Sequence, residues 1–176
     1  MADALRLAQP GDAVPLQALV HRAYRGDTAR GGWTHEADLL DGNRIDVATL
    51  DALLGDPAEA IVLAERDDRP GPIGCVQVSD RGGGLAYLGM LSVDPGLQGG
   101  GLGRALVVAA ERTARDHFGA TRIEMTVIVQ RAELIAWYQR QGYRPTGETR
   151  PFPATDPRFG LPRRNDLAFV VLEKTL

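Results

Sequence analysis

Four glycines within five residues, Gly99 to Gly103, separate an apolar run that ends at Val93 from an amphipathic run that begins at Leu102. Tyr87 to Val93 reads as a strand, and Pro95, which has no N–H for a sheet ladder, ends it. From Leu102, the spacing of Leu102, Leu106, Ala109 and Thr113, with Ala105 beside them, predicts one buried helical face. Glu111, Arg112, Arg115 and Asp116 fall on the wet side. Glycine tolerates φ > 0 and puts no Cβ between backbone and ligand. Successive amide N–H groups can therefore line one concavity at the start of a helix, where the dipole also favours an anion. Such a loop is a cradle for phosphate. It is not a Walker loop, which needs lysine after its last glycine, where this chain has Arg104. A dinucleotide fingerprint needs Gly or Ala five residues after its first glycine, and Arg104 or Leu106 stands there.

On either side of the cradle the chain alternates between strand and helix patterns. Leu5 to Ala8 reads as a strand. Gly11 and Asp12 form a turn and N-cap for a helix over 13–24, with Leu16, Leu19, Val20 and Ala23 inward. A polar passage with Gly31, Gly32 and Trp33 follows. A second helix is expected from about Thr34, interrupted near Gly42 and Asn43, and further helix over 46–54 stops at Gly55 and Pro57. Residues 60–65 and 73–79 are β-branched strands joined by a hairpin loop. Gly119 ends the cradle helix, 121–129 is a strand, and 130–141 is a helix closed by Gly142. Tyr143 to Thr149 and Leu167 to Leu172 are the last strands. The order β-α-α-β-β-β-α-β-α-β-β predicts an α/β domain spanning 1–176, with a mixed central sheet flanked by helices.

Composition narrows the class. The 176 residues are 44% hydrophobic and 24% charged, with a formal net charge of −3, which is the profile of a soluble globular domain and not of a basic nucleic-acid binder. Cys75, the single cysteine, allows no intrachain disulfide and sits in an apolar run as a small hydrophobe. His21, His35 and His117 are scattered and no Cys-x-x-Cys occurs, so no metal site is expected. The N-terminal residues lack a signal-peptide pattern and no segment is apolar enough to span a bilayer. A cytoplasmic location without a membrane partner is expected.

Gln98-x-x-Gly101-x-Gly103 resembles the Q/R-x-x-G-x-G/A motif of the GNAT superfamily of N-acetyltransferases, and Leu91-Ser92-Val93-Asp94-Pro95 is similar to its lead-in. A second segment, Arg131-x-x-Leu134-x-x-Trp137-Tyr138-x-x-x-Gly142-Tyr143, resembles that family's N-x-x-A-x-x-x-Y-x-x-x-G-F/Y stretch. The element order also matches, so the resemblance covers almost the whole chain. It implies the GNAT-like acyl-CoA N-acyltransferase fold and acetyl-CoA as cofactor. Gln98, Gly99, Gly100, Gly101, Leu102, Gly103 and Arg104 would hold its pyrophosphate. Backbone groups of Leu91, Ser92 and Val93 would pair with its pantetheine arm like an added strand. Tyr138 would protonate the departing thiolate. Arg131 stands where the family often has Asn, so an Asn contact to pantetheine is not carried over. A homodimer is common in the family.

Each side chain has a plainer reading beside the chemical one. Tyr138 is either a general acid or a core tyrosine bonded to a backbone carbonyl. Glu124 and Thr126 share the sheet face opposite Met125 and Val127, which is expected to look toward the acceptor. Glu124 is then a candidate base, alongside a solvated carboxylate or a water relay to bulk. Trp33 and Glu36 are candidates to hold a cationic amine, or Trp33 anchors its loop. Arg150, Arg158, Arg163 and Arg164 either recognise an anionic group on the acceptor or form a solvated loop. The reading is an N-acetyltransferase that moves acetyl from acetyl-CoA directly to a primary amine, small-molecule or peptide. The alternative is a non-catalytic CoA-binding or regulatory domain on the same fold.

Overall fold

Period-two alternation sorts the strand residues onto two faces. Val62, Val76, Val78, Ala86, Ile123 and Met125 fall in one buried cluster, and Ile61, Leu63 and Cys75 in another on the opposite side. In the computed structural model, which describes residues 3–33, 35–42, 44–156 and 159–176, those faces belong to a seven-stranded sheet. Its strands are β1 (Ala4–Leu7), β3 (Glu59–Glu65), β4 (Gly74–Asp80), β5 (Leu85–Val93), β6 (Arg122–Ile128), β7 (Arg144–Pro151) and β9 (Ala168–Thr175), in the spatial order β1-β3-β4-β5-β6-β9-β7. All neighbours are antiparallel except β5 and β6. Helices α1 (Ala13–Tyr24) and α3 (Val47–Gly55) cover the face of Ile61 and Leu63. Helices α4 (Leu102–Phe118) and α5 (Ala132–Arg140) cover the other. Among the described residues no helix is long and apolar enough to cross a membrane.

The parallel pair is short. β5 and β6 are in register only from Leu85, Ala86 and Tyr87 to Arg122, Ile123 and Glu124. Beyond that point β5 stays with β4 and β6 with β9, so the centre of the sheet opens. A bulge lies on β5 at this opening. One residue separates Cys75 from Gln77, but two separate their partners Ser92 and Gly89. The extra residue inverts which side chains face which layer. Ala86 and Leu88 pack toward α4, whereas past the bulge Leu91 and Val93 do so and Met90 packs beside α1. Met90 has a φ of +52°, and no other described non-glycine residue has a positive φ.

Three expectations are revised. The buried face of α4 is Leu102, Leu106, Val107, Ala110 and Ala114, while Ala105 is exposed and Ala109 and Thr113 are half-buried. Leu106 and Val107 are adjacent and both apolar, and burying both rolls the helix toward Val107. The helix expected from Thr34 begins outside the described residues. Around it the chain forms a one-turn helix α2 (Gly26–Ala29), turns at Gly31 and Gly32, and a short strand β2 (Leu40–Asp41). β2 pairs with β8 (Leu161–Pro162) in the final loop; two residues are too few to show a period. Asp12 flanks α1 without a side-chain cap, because its carboxylate accepts from Arg6 (2.8 and 3.0 Å) and the Gln9 amide (2.7 Å). Asn43 and Pro157 also lie outside the described residues.

The bulge gives a direct test. Leucine and isoleucine have equal volume, but β-branching is severely disfavoured at φ > 0. Met90→Ile should cost about 1–2 kcal/mol more than Met90→Leu, read as a lower urea midpoint at unchanged m-value. Equal midpoints would show that position 90 is not left-handed.

Candidate active site

The glycine loop has the backbone that a cradle requires. Gly99 and Gly101 take φ of +86° and +90°, and Gly101 is the N-cap of α4. A Cβ built at either would meet no atom within 4 Å. Their conformation, not crowding by the protein, demands glycine, and the space above them is open. The seventeen-residue α4 aims its positive end at that space. Gly103 lies against the Trp137 ring, 3.6 Å from a Cβ built on it.

The loop opens into a cavity of about 320 Å³. Leu91, Ser92 and Val93 form one wall with Gln98, Gly99, Gly101, Gly103 and Arg104, and α5 forms the other through Leu134, Trp137 and Tyr138. Gly100 and Leu102 are not on the wall: Gly100 is exposed and Leu102 is in the core. The outward backbone of β5 is capped by side chains. The Tyr24 hydroxyl donates to the Leu91 carbonyl at 2.6 Å, and Gln98 Nε2 donates to the Val93 carbonyl at 3.3 Å. Ser92 is buried and its hydroxyl donates to the Met90 carbonyl within the bulge.

Tyr138 is buried on the α5 side, edge-on to Trp137 and Tyr143 with centroids 5.0 and 5.9 Å away. Burial pushes its phenol well above the usual tyrosine range, with the nearby Arg131 charge a smaller opposing influence. The group holds its proton at any physiological pH. Burial likewise pushes Tyr24 up to about 12.

Trp33 lines this same cavity. Its amide donates to Gln98 Oε1 at 2.6 Å and its ring meets Trp137 edge-on at 6.3 Å. Gln98 therefore straps the loop that carries Trp33 to the end of β5. Glu36 is turned away into a cluster of arginines. Its carboxylate accepts from Arg25 at 2.9 Å and from Arg131 at 3.1 Å, with all three side chains nearly buried. Burial raises this carboxyl, but the charges of Arg131, Arg44 and Arg25 outweigh it, and the net shift is downward. Arg25 also donates to the carbonyls of Asp41 and Phe159, which ties the insertion to the final loop.

Glu124 and Thr126 do share the face opposite Met125 and Val127, but neither lines the cavity. Glu124 accepts from Arg150 at 3.1 Å, and Thr126 bonds the Tyr87 hydroxyl at 2.7 Å. The other arginines of the final loop are also paired, Arg163 with Asp41 and Arg164 with Asp166; Arg158 lies outside the described residues. Cys75 is buried, and its thiol is pushed up to about 12 by that burial.

Tyr24 and Arg131 line the cavity, and Arg44 stands behind them over the Tyr24 ring; sequence patterns select none of the three. Tyr24 reads as the last residue of a helix, and Arg44 as one polar residue in an insertion. Only the Arg131 departure from the family motif marks its position.

Residues 18–143 match the acetyltransferase (GNAT) family, and the chain belongs to it. It is 35% identical over 147 residues to the mycothiol acetyltransferase of Salinispora arenicola (strain CNS-205), an alignment covering 79% of this chain. The chain spans 44% of the length of that relative. Among solved structures, a Salmonella typhimurium protein, yncA, crystallised with its cofactor acetyl-CoA, has a TM-score of 0.72 at 17% identity, covering 100% of this chain and 95% of that one. Nourseothricin acetyltransferase has a TM-score of 0.70 at 22% identity, with 99% of each chain covered. These two likenesses establish the fold, a GNAT fold with a mixed sheet.

Replacing Glu36 leaves its buried guanidiniums uncompensated. Glu36→Gln should cost about 3 kcal/mol at neutral pH. Because the folded carboxyl lies below its unfolded value, its stabilisation is full above about pH 4.5 and is lost as pH falls through the lower folded value. Urea denaturation should therefore show the wild type losing more stability than the variant as pH falls from about 5 to 3. Parallel pH curves would mean that Glu36 is not held as an anion by the arginines.

Proposed function

We propose that this chain is an acetyl-CoA-dependent N-acetyltransferase that transfers acetyl directly to a primary amine. The observation that carries the reading is a shared cavity. The left-handed glycine loop at the head of α4 and the Tyr138 phenol open onto the same space, where β5 has parted from β6. Open space above Gly99 and Gly101 fits a pyrophosphate, and the apolar wall of Leu91, Leu134 and Trp137 fits a pantetheine arm. Acetyl-CoA supplies an activated acyl group as its thioester.

In this reading the amides of residues 99–103 and the positive end of α4 hold the pyrophosphate. The strand end at Leu91 to Val93 aligns the arm, and Gln98 keeps Trp33 over it. The amine nitrogen bonds the acyl carbon, the carbon–sulfur bond breaks, and the amine's proton leaves to solvent. Glu124 is left out of this path because Arg150 occupies it and it stands off the cavity. Tyr138 donates a hydrogen bond to the departing sulfur. A free thiol titrates near about 8.5, and Tyr138 has been pushed above the ordinary phenol value. Complete proton transfer from phenol to thiolate is therefore uphill. Tyr138 acts chiefly as a donor to developing charge, worth about 1.5–3 kcal/mol.

Two variants test this. Gly101→Val forces a β-branched side chain into φ of +90° and into the open face of the loop. Acetyl-CoA affinity measured by calorimetry should fall at least about tenfold, with strain of about 1–2 kcal/mol visible in thermal unfolding. Unchanged affinity would remove the loop from the cofactor site. Tyr138→Phe should lower kcat about 10–100-fold, the range of one hydrogen bond to a charged group, with little change in the KM for acetyl-CoA. Full activity with a lowered Tm would leave Tyr138 a packing residue.

A further inference from the structure

The buried charges beside Tyr24 do not balance. Arg25 and Arg131 both bond Glu36, and Arg44 lies close enough for the same carboxylate to act on it. Burial lowers the Arg44 value and Glu36 raises it, with a net rise. Three guanidiniums thus share one carboxylate. Arg44 is half-buried and makes no hydrogen bond among the described residues. Its Cζ stands 5.4 Å from the centroid of the Tyr24 ring, and that of Arg131 stands 5.7 Å from the same centroid. The arginines of the final loop that are described each have a carboxylate partner. Arg44 has an aromatic platform in place of one.

Its position decides what the surplus charge serves. Tyr24 lines the cavity, and its hydroxyl rests on Leu91, at the strand end. Arg44 is also within electrostatic reach of Tyr87, whose hydroxyl bonds Thr126 on the sheet face away from α4. Arg44 is not itself on the cavity wall; it stands against the ring of Tyr24, which is. The anionic end of acetyl-CoA belongs to the glycine loop, and its thioester end is uncharged. A half-buried guanidinium with no acceptor among the described residues leaves its planar fork open to an anion, and a carboxylate or phosphoryl group matches that fork. The complementary anion must come with the other reactant.

We infer that the acceptor is a primary amine carrying an anionic group, carboxylate or phosphoryl, which Arg44 binds while stacked on Tyr24. This rests on the transferase reading above and names its substrate class. Arg44 then decides specificity, and it turns the site against polycationic amines. The recognition expected of the final-loop arginines passes to a residue of the insertion.

Matched acceptors test the inference. Each α-amino acid of a panel is compared with its carboxamide, and O-phosphoethanolamine with ethanolamine, by thiol release from acetyl-CoA. The two sets separate a carboxylate from a phosphoryl source. In at least one pair the anionic member should have a kcat/KM about 10–100-fold higher, carried by KM. Arg44→Gln should reduce that ratio at least about tenfold, and Arg44→Lys should restore part of it, since lysine keeps the charge without the fork. Calorimetric titration of the same compounds into the CoA-loaded protein should show the same order of affinity. Neutral members equal to or better than the anionic ones would overturn the inference, as would a ratio unchanged in Arg44→Gln. A comparable loss of acetyl-CoA affinity in Arg44→Gln would assign the charge to the cofactor and overturn it as well. Failure of the wild type to bind acetyl-CoA would instead remove the transferase reading.

Discussion

Beyond Tyr87 and Glu124 the two central strands share no register, and nearly every feature of the site lies along that gap. The extra residue at Met90 bends β5 and exchanges its faces. Leu91 and Val93 consequently pack on the α4 side, while their carbonyls meet Tyr24 and Gln98. A bulge disrupts the ladder locally and increases twist, which suits a strand that must leave one neighbour while keeping the other. The left-handed Met90 is tolerated because its side chain is buried between α1 and the sheet.

The gap is flanked by the insertion between α1 and α3, and polar links join that insertion to the rest. Arg25 reaches Glu36 and carbonyls on both the insertion and the final loop, and Glu36 reaches Arg131 at the N-cap of α5. A small apolar cluster of Leu40, Ile128 and Phe152 supports the same junction. Apolar contact alone tolerates many registers, whereas a buried carboxylate accepts only those arrangements that bring guanidiniums to its oxygens. The position of this wall relative to α5 is thereby specified, at the cost of burying charge.

Local patterns revealed α1, whose expected and observed ranges coincide at 13–24, and the loop from Gln98 to Gly103. Both depend on near neighbours: a 3.6-residue period in one case, and residues free to take φ > 0 in the other. The inner face of α4 was less legible, because Leu106 and Val107 compete for the same direction and the sheet decides how the helix rolls. The insertion was misread as helix from charges and spacing, since a buried Arg25–Glu36 pair and a two-residue pairing of β2 with β8 leave no periodic trace. Glu124 and Thr126 were placed on the correct sheet face by alternation. Alternation is silent about Arg150, twenty-six residues away in the chain, which occupies Glu124.

The sequence by itself determined the order of the seven main-sheet strands and of α1, α3, α4 and α5, the left-handed glycine loop at the head of α4 and the placement of Tyr138 on a buried helix face. Each follows from the conformational preferences of residues a few positions apart. Tertiary structure alone decided that β5 and β6 part after three pairs, that Tyr24 caps Leu91, and that Arg25, Arg44 and Arg131 gather around one carboxylate. Apart from Arg44, a near neighbour of Glu36 in the chain, those outcomes join residues from 11 to 95 positions apart. Their energies depend on desolvation and on the distance between charges, and neither exists until the sheet and its helices have closed around them.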